Sequence, residues 1–326
     1  MTILVTGGAG YIGSHTVRLL QERGREVVVL DTMELGHRSA LDAPLVVGDI
    51  NDGDTVAQAI RDFGVDAVVH FAAYKAAGES MEDPGKYFRN NVAGTAALVE
   101  TLARTGVTRV VFSSSCAVYG TAETVPVADD APLHPESPYG ESKAMVEQML
   151  GWYDRCAAVR SVSLRYFNAA GAWPDGSIGE DWSVTLNLVP NIMKSLLGRQ
   201  GTLRLYGTDY PTPDGTAIRD YVHVLDLADA HLRALQYLEG GGATTTINLG
   251  TGVGSSVLEV ITATERVSGL PVAFERHPRR AGDPVALYSD NGRARTVLGW
   301  EAQYGLEDII ASAWAWHSTH PDGYGD

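Results

Sequence analysis

The stretch over residues 3–13 constrains the fold of this chain more than any other. Ile3-Leu4-Val5 is a short apolar run without alternation. Gly7-Gly8-Ala9-Gly10-Tyr11-Ile12-Gly13 follows it, ahead of a helical pattern through Thr16, Leu19 and Leu20 to Gly24. A run that is apolar on both faces belongs in a parallel sheet covered by helices. The chain therefore opens as strand, glycine turn, helix. The turn reads G-x-G-x-x-G from Gly8 and G-x-x-G-x-x-G from Gly7. Either way the bare backbone lets a diphosphate approach the N–H groups at the helix N-terminus. By itself the pattern is also that of a plain glycine turn with no ligand.

The following residues give the turn its context. Val27-Val28-Val29-Leu30 is a second buried strand ending in Asp31, about twenty residues on. A carboxylate there accepts hydrogen bonds from the adenosine ribose hydroxyls and repels a 2′-phosphate, so NAD is favoured over NADP. Runs at Leu45-Val46-Val47 and Ala67-Val68-Val69-His70-Phe71 end in Asp49-Ile50 and Ala72-Ala73. A dinucleotide lies across the carboxyl ends of such strands, which places Asp49 at the adenine and Phe71, Ala72 and Ala73 at the linking phosphates and ribose. Asp49 reads equally well as the cap of a helix over residues 54–63. Lys75 follows in a loop, where a solvated charge is the plain reading. Residues 87–106 carry apolar side chains at helical spacing, and Asn90-Asn91 within them points to buried polar contacts.

Arg109 opens the run Val110-Val111-Phe112, which delivers Ser113-Ser114-Ser115 to the same carboxyl edge. A serine there can hydrogen-bond a substrate hydroxyl and its oxidised carbonyl without being a nucleophile, and no G-x-S-x-G elbow surrounds it. In Ser137-Pro138-Tyr139-Gly140-Glu141-Ser142-Lys143, Tyr139 and Lys143 stand four apart, on one face of a helix over residues 139–150. The expectation is that the ammonium lies beside the phenol and makes it a base. A free phenol titrates near pH ~10, and bringing it to neutrality takes roughly three units, or ~4 kcal/mol. One cation ~4 Å away at an effective dielectric of ~20 supplies about that much. An ordinary surface tyrosine and lysine show the same spacing. Cys116 has no nearby cation or helix start and reads as packing. A further strand over residues 162–167 ends at Asn168.

Strand and helix alternate to Asn168, which makes one doubly wound parallel α/β unit with a Rossmann sheet. Residues 1–168 are read as an NAD-binding domain, with parts of the 219–250 stretch returning to pack on it, and 169–326 as a smaller C-terminal α/β substrate-binding lobe. A net charge of −15 and a pI near 5.0 argue against a broad basic surface for nucleic acid or anionic lipid. An anionic ligand then needs locally placed arginines. Two cysteines make no disulfide framework, and nine histidines, His15, His70, His223 and His231 among them, show no metal-ligand spacing, so no metal is expected. No run reaches the ~18 apolar residues of a membrane span, and no basic start precedes a long apolar core. A cytoplasmic protein without a membrane partner is expected.

Longer segments carry a resemblance. Val5-Thr6-Gly7-Gly8-Ala9-Gly10-Tyr11-Ile12-Gly13-Ser14-His15, Lys75-Ala76-Ala77-Gly78-Glu79-Ser80, Asn90-Asn91, Ser113-Ser114-Ser115, Ser137-Pro138-Tyr139-Gly140 and Leu164-Arg165-Tyr166-Phe167-Asn168 lie in the first unit. Asn187-Leu188, Arg219-Asp220-Tyr221-Val222-His223-Val224 and Arg279-Arg280-Ala281-Gly282-Asp283 lie in the second and are the more specific. Over nearly its whole length the chain resembles the extended short-chain dehydrogenase/reductase superfamily, and within it the UDP-glucose 4-epimerase (UDP-galactose 4-epimerase) family.

The resemblance implies an isomerase that interconverts UDP-galactose and UDP-glucose by transient oxidation at C4. Tyr139, as phenolate, takes the proton of the 4-hydroxyl, Ser115 holds the reacting oxygen, and Lys143 depresses the tyrosine pKa and binds the nicotinamide ribose. It implies NAD contacts from Gly7, Gly10, Tyr11, Ile12, Gly13, Asp31, Asp49, Ile50, Phe71, Ala72, Ala73, Lys75, Asn90, Ser113, Tyr139, Lys143 and Tyr166. UDP-sugar contacts are implied for Lys75, Ser115, Tyr139, Phe167, Asn168, Asn187, Leu188, Tyr206, Arg219, Tyr221, Arg280, Asp283 and Leu287. The guanidinium groups of Arg219 and Arg280 suit phosphate oxygens. A homodimer through helices near residues 90–105 and 141–156 is also implied.

Two departures bear on detail. Leu287 stands where members restricted to non-acetylated sugars often carry tyrosine, so UDP-GlcNAc and UDP-GalNAc enter as further substrates unless Leu287 is simply core. The connection from Asp31 to Asp49 is short for the family, which touches the adenosine contacts but not the chemistry. A 4,6-dehydratase would share the cofactor loop, yet would carry acidic residues where this chain has Cys116-Ala117. A UDP-uronate 4-epimerase would want a positive contact for the C6 carboxylate. A non-enzymatic NAD-sensing regulator would have no reason to keep Ser115, Tyr139 and Lys143 together.

Overall fold

Strand β1 (Thr2–Thr6) passes through the glycine turn into helix α1 (Tyr11–Glu22), in a computed structural model that describes residues 1–182, 187–280 and 282–325. Next come β2 (Glu26–Asp31), β3 (Leu45–Val47), α2 (Gly53–Phe63), β4 (Val65–His70), the short helices α3 (Ala77–Glu82) and α4 (Pro84–Tyr87), α5 (Thr95–Thr105), β5 (Arg109–Ser115), α6 (Pro138–Ala157) and β6 (Arg160–Tyr166). The chain continues with β7 (Asn168–Ala170), α7 (Leu188–Leu196), β8 (Leu203–Tyr206), β9 (Ile218–Arg219), β10 (Tyr221–His223), α8 (Val224–Glu239), β11 (Thr245–Leu249), β12 (Ser255–Ser256), α9 (Val257–Ser268), β13 (Phe274–His277), β14 (Ala286–Leu287) and α10 (Leu306–Thr319).

The central sheet has seven parallel strands in the order β11-β6-β5-β4-β1-β2-β3, a doubly wound α/β fold. Burial accounts for the unbroken apolar runs. Ile3 and Val5 pack on one face with Val17 and Leu20 of α1 and Leu227 and Leu235 of α8. Leu4 packs on the other with Val28, Ile60, Leu98 and Val146. Neither face of β1 meets water, so alternation is absent, and each such side chain contributes about 1.5–3 kcal/mol on burial. From β1 the chain runs to β2 on one side and, after β3, crosses back to β4 on the other. The carboxyl end of β1 is therefore the switch point at which such sheets bind ligands.

Two expectations need correction in detail. Asp52, not Asp49, caps α2: its carboxylate accepts from Asp54 N at 3.1 Å, Thr55 N at 3.2 Å and the Thr55 hydroxyl at 2.7 Å. Asp49 instead accepts from the backbone and side-chain N–H groups of Asn51, both at 2.8 Å. Helix α2 starts at Gly53, too far along for Asp49 to reach its first turn. Residues 87–106 are not one regular helix either. A π-helical stretch, Phe88–Gly94, joins α4 to α5, and one wide turn of this kind re-aims the side chains on it.

Candidate active site

At the turn, glycine is required at two positions for contact and left free at a third. Gly7 has φ +69°, and a Cβ on it would lie 2.5 Å from Ala72 N; a Cβ on Gly13 would lie 2.3 Å from Gly7 O. Gly10 has φ −80° and ψ 175°, which any residue adopts. A Cβ there would meet only Gly7 O, at 3.4 Å. The backbone beside Gly10 is thus open, and it leads into α1, whose first turn has no side-chain cap. Tyr11 turns away to donate to Gly171 O at 2.6 Å, and Ile12 packs against the core.

The loops around the turn are pinned by backbone bonds. Phe71 N and Ala72 N both donate to Thr6 O, at 2.9 and 3.1 Å, with Ala73 next and half-buried. Asp31 accepts from Ala9 N at 3.0 Å and Met33 N at 2.9 Å, so its carboxylate ties the turn to the end of β2. The Ile50 side chain is buried in the core. An open strip of backbone, an uncapped helix N-terminus and a carboxylate at the next strand end suit a dinucleotide such as NAD.

Helix α6 begins with Ser137 as N-cap, its hydroxyl accepting from Gly140 N at 3.2 Å, and Pro138 in the first turn. That start sets Tyr139 against the end of β5, where Ser115 acts to lower its pKa. Tyr139 N donates to Ser80 Oγ at 3.2 Å, and Ser115 Oγ also accepts from Ala117 N at 3.2 Å. Lys143 is buried one turn on. Its ammonium donates to Ser113 O at 2.7 Å, stands over the Phe112 ring at 4.8 Å, and is 5.9 Å from the centre of the Tyr139 ring.

The ammonium is thus tethered to the strand one helical turn from Tyr139. Burial pushes the Tyr139 phenol up to about 12, with Ser115 pulling it down. Burial also draws Lys143 down to about 7, against the attraction of Glu147. Loss of hydration comes first in both shifts, because the charged form of each group is what water stabilises. Beside them Ser113 Oγ is hydrogen-bonded to Tyr166 OH, whose phenol burial also raises. Asn91 accepts from Tyr74 N and from the Asn90 amide, both at 3.0 Å, and donates to Tyr74 O at 3.0 Å and Ser142 Oγ at 3.2 Å. The wide turn thus fastens the loop after β4 to α6. Burial keeps the Cys116 thiol protonated, up to about 12.

The remaining residues expected at the site follow β6 in the chain. Phe167 and Leu287 are buried together with Val118, Tyr119, Val127 and Ala144, so Leu287 belongs to a core cluster as well as to the neighbourhood of the site. The Asn168 amide donates to Asp220 O at 3.1 Å. Arg219 and Asp283, each expected to hold ligand, hold one another at 2.8 Å, and Arg219 also donates to Ile218 O at 2.7 Å. The exposed Arg280 guanidinium stands 4.1 Å from the centre of the Tyr206 ring. Hydrogen bonding to Arg204, with Arg280 adding, holds that phenol below its usual range. Tyr221 is buried in β10, between Asp220 and Val222.

Asn187, just ahead of Leu188 and α7, donates to Glu180 Oε1 at 2.8 Å, and Lys75 Nζ is 3.4 Å from the same oxygen. Sequence reasoning singled out neither Glu180 nor Glu147 nor Ser80. Glu180 lies 105 positions from Lys75 and carries no local signal. Glu147 does: it follows Lys143 by the same four residues that separate Lys143 from Tyr139. Among the described residues no group of three or more His, Cys, Asp or Glu could hold a metal ion, and no helix is long and apolar enough to cross a membrane.

Comparison with known proteins shows the family. The sequence profile of the NAD dependent epimerase/dehydratase family matches residues 3–250. A UDP-glucose 4-epimerase from Streptococcus mutans is 49% identical over 331 residues, covering 100% of this chain and 99% of its own. The crystal structure of UDP-glucose 4-epimerase from Brucella ovis in complex with NAD superposes with a TM-score of 0.94 at 44% identity, over 96% of this chain and 97% of that one. That of the Bifidobacterium longum enzyme in complex with NAD+ and UDP gives a TM-score of 0.93 at 36% identity, over 99% and 100%. On the profile match over residues 3–250 and the full-length relatives, the chain belongs to the NAD dependent epimerase/dehydratase family.

Proposed function

We propose that the protein is an NAD-dependent isomerase that interconverts UDP-galactose and UDP-glucose at C4. The observation that carries this reading is Tyr139 set beside Ser115 at the carboxyl edge of the sheet, in a chain whose full-length relatives include UDP-glucose 4-epimerases. NAD, when bound, supplies a reversible hydride acceptor for the sugar C4. Tyr139 Oη takes the proton of the 4-hydroxyl, and Ser115 Oγ donates to the same oxygen as it becomes a carbonyl. After the keto sugar turns over, Tyr139 returns the proton to that oxygen. Positive charge in the site must bring the phenol down from about 12, and Lys143 supplies part of it.

Turning requires a firm hold on the nucleotide and a loose one on the hexose. Asn168, Asn187, Leu188, Tyr206, Arg219, Tyr221, Arg280 and Asp283 provide the hold, with the two guanidinium groups supplying local positive charge in an acidic protein. A second reading widens the substrate to 2-acetamido sugars, on the smaller bulk of Leu287 packed beside Phe167. A second copy of this chain is the proposed partner, across α5 and α6, where Met145 and Trp152 are 39% and 62% exposed. The two free cysteines suit a reducing cytoplasm.

Tyr139→Phe tests the assignment. Turnover of UDP-galactose is expected to fall at least about 100-fold, as for loss of a general base, while NAD and UDP-sugar stay bound. Loss of NAD in place of turnover would make Tyr139 a structural residue.

A further inference from the structure

One buried ion pair lies directly behind the catalytic stripe of α6, and the proposed chemistry leaves it unused. Tyr139, Lys143 and Glu147 follow one another at single helical turns. The Glu147 carboxylate accepts from Ser114 Oγ at 2.5 Å, from Arg165 Nε at 2.8 Å and from Arg165 Nη2 at 2.5 Å. The side chains of Arg165 and Glu147 are only 6% and 5% exposed. Arg165 also donates to Tyr119 OH at 2.7 Å and Asp129 O at 3.0 Å, and Tyr119 OH donates to Asn248 Oδ1 at 2.7 Å. Ser114 and Arg165 are direct cross-strand partners on β5 and β6. One carboxylate thus joins α6 to both strands, one residue away from Ser113, whose carbonyl holds the Lys143 ammonium.

We infer that Glu147 is a positioning residue. Clamped by Ser114 and Arg165, it fixes the rotation of α6 over β5 and supplies the negative charge that keeps Lys143 an ammonium. The inference rests on the proton role proposed for Tyr139, because only a charged lysine can help bring that phenol down.

Among the described residues around Lys143 no other group can do this. From β4 comes His70, whose state follows from its partners. The Thr95 hydroxyl donates to Asn91 O at 2.6 Å, so it must accept from His70 Nε2 at 2.9 Å, and His70 Nδ1 accepts from the Thr6 hydroxyl at 2.6 Å. That imidazole is neutral, and burial holds it down to about 3. From β5 come the Phe112 ring and the Ser113 carbonyl. From β6 come Tyr166, a protonated phenol, and Arg165, which is positive. On α6 itself the neighbours are Tyr139 and Glu147. Glu147 is the single anion in this set, and its attraction opposes the burial that draws Lys143 down.

The chain has only four lysines, Lys75, Lys86, Lys143 and Lys194, so labelled lysine side chains give four resonances to follow by NMR in the cofactor-loaded protein. Replacing Glu147 by glutamine, Glu147→Gln, keeps an acceptor for Arg165 and removes the charge. The Lys143 titration midpoint is expected to fall by about one to two pH units, the effect of one charge a helical turn away at an effective dielectric of ~20. The pH at which turnover is lost should move with it. Ser114→Ala, which leaves the carboxylate charged, should hold the midpoint within about 0.3 unit. If Glu147→Gln does not fold, the double variant Glu147→Gln/Arg165→Met removes the whole pair, and a smaller fall of the same sign is expected. An unmoved Lys143 midpoint in the variant that folds overturns the inference. The resonance is read without any sugar, so a wild-type protein inert to UDP-galactose would refute the proposed function and still leave the role of Glu147 decided by the midpoint.

Discussion

Gly10 and Gly13 sit three residues apart in the same turn, and replacing each by alanine should separate folding from cofactor binding. At Gly13 the new methyl would lie 2.3 Å from Gly7 O and 2.8 Å from Gly8 Cα. Backbone must move by about 1 Å to relieve such contacts, at a cost of about 1–3 kcal/mol. At Gly10 the methyl meets only Gly7 O at 3.4 Å, and the dihedral angles already suit alanine. Restricting the unfolded chain there is worth about 0.4–1 kcal/mol, offset in part by the weaker N-cap, so stability should change by less than about 1 kcal/mol. The methyl at Gly10 instead occupies the open strip proposed for the pyrophosphate. Overlap of one methyl costs about 1–3 kcal/mol, or roughly 5- to 150-fold in NAD affinity. The assay is urea unfolding of cofactor-stripped protein, paired with NAD binding by equilibrium dialysis. Gly13→Ala should lose on both counts and Gly10→Ala on the second alone. Unimpaired NAD binding by Gly10→Ala would refute the placement of the cofactor over this turn.

Two further outcomes follow from the same structure. Burial holds His15, His70 and His317 down to about 3 and His223 and His231 down to about 4. A depressed histidine contributes stability that is complete above its unfolded value near ~6.5 and is lost as pH falls toward the folded one, up to about 2 kcal/mol each by pH ~5. The raised carboxyls of Asp129, Asp220 and Asp226 act in the opposite sense, but through fewer groups. The urea midpoint should therefore fall steadily from pH ~6.5 downward, and a flat profile would contradict the neutral assignment of these rings. For the sugar, equal assays on both substrate pairs should show acetamido turnover by the wild type that Leu287→Tyr reduces at least about 10-fold, equivalent to ~1.4 kcal/mol, with hexose turnover kept; no acetamido turnover by the wild type would remove Leu287 from the specificity argument.

Legibility in the sequence follows the range of the interaction. The opening strand, turn and helix were readable because burial on both faces of β1 and the contacts of Gly7 and Gly13 act within a short stretch. The helix that holds Tyr139 and Lys143 was readable from their spacing, although its start, capped by Ser137 with Pro138 in the first turn, falls one residue earlier than expected. Choosing Asp52 over Asp49 as a cap depends on where α2 begins, and two aspartates three apart leave that open. The partner of Lys143 lies 30 residues upstream, and that of Arg219 lies 64 residues downstream. Helical spacing named Tyr139 and Lys143 but carried no signal of the burial that pushes the phenol up. Desolvation depends on the whole pocket, which only the assembled strands define.

The central claim is that this chain oxidises and re-reduces the same carbon. Purified protein with its own bound cofactor, mixed with UDP-galactose and no added NAD, tests it by proton NMR of the sugar. The reading predicts UDP-glucose at equilibrium, about one tightly held NAD per chain and no free NADH. Unchanged UDP-galactose in a protein that holds its NAD, or release of NADH or a 4-keto-6-deoxy sugar, would contradict it.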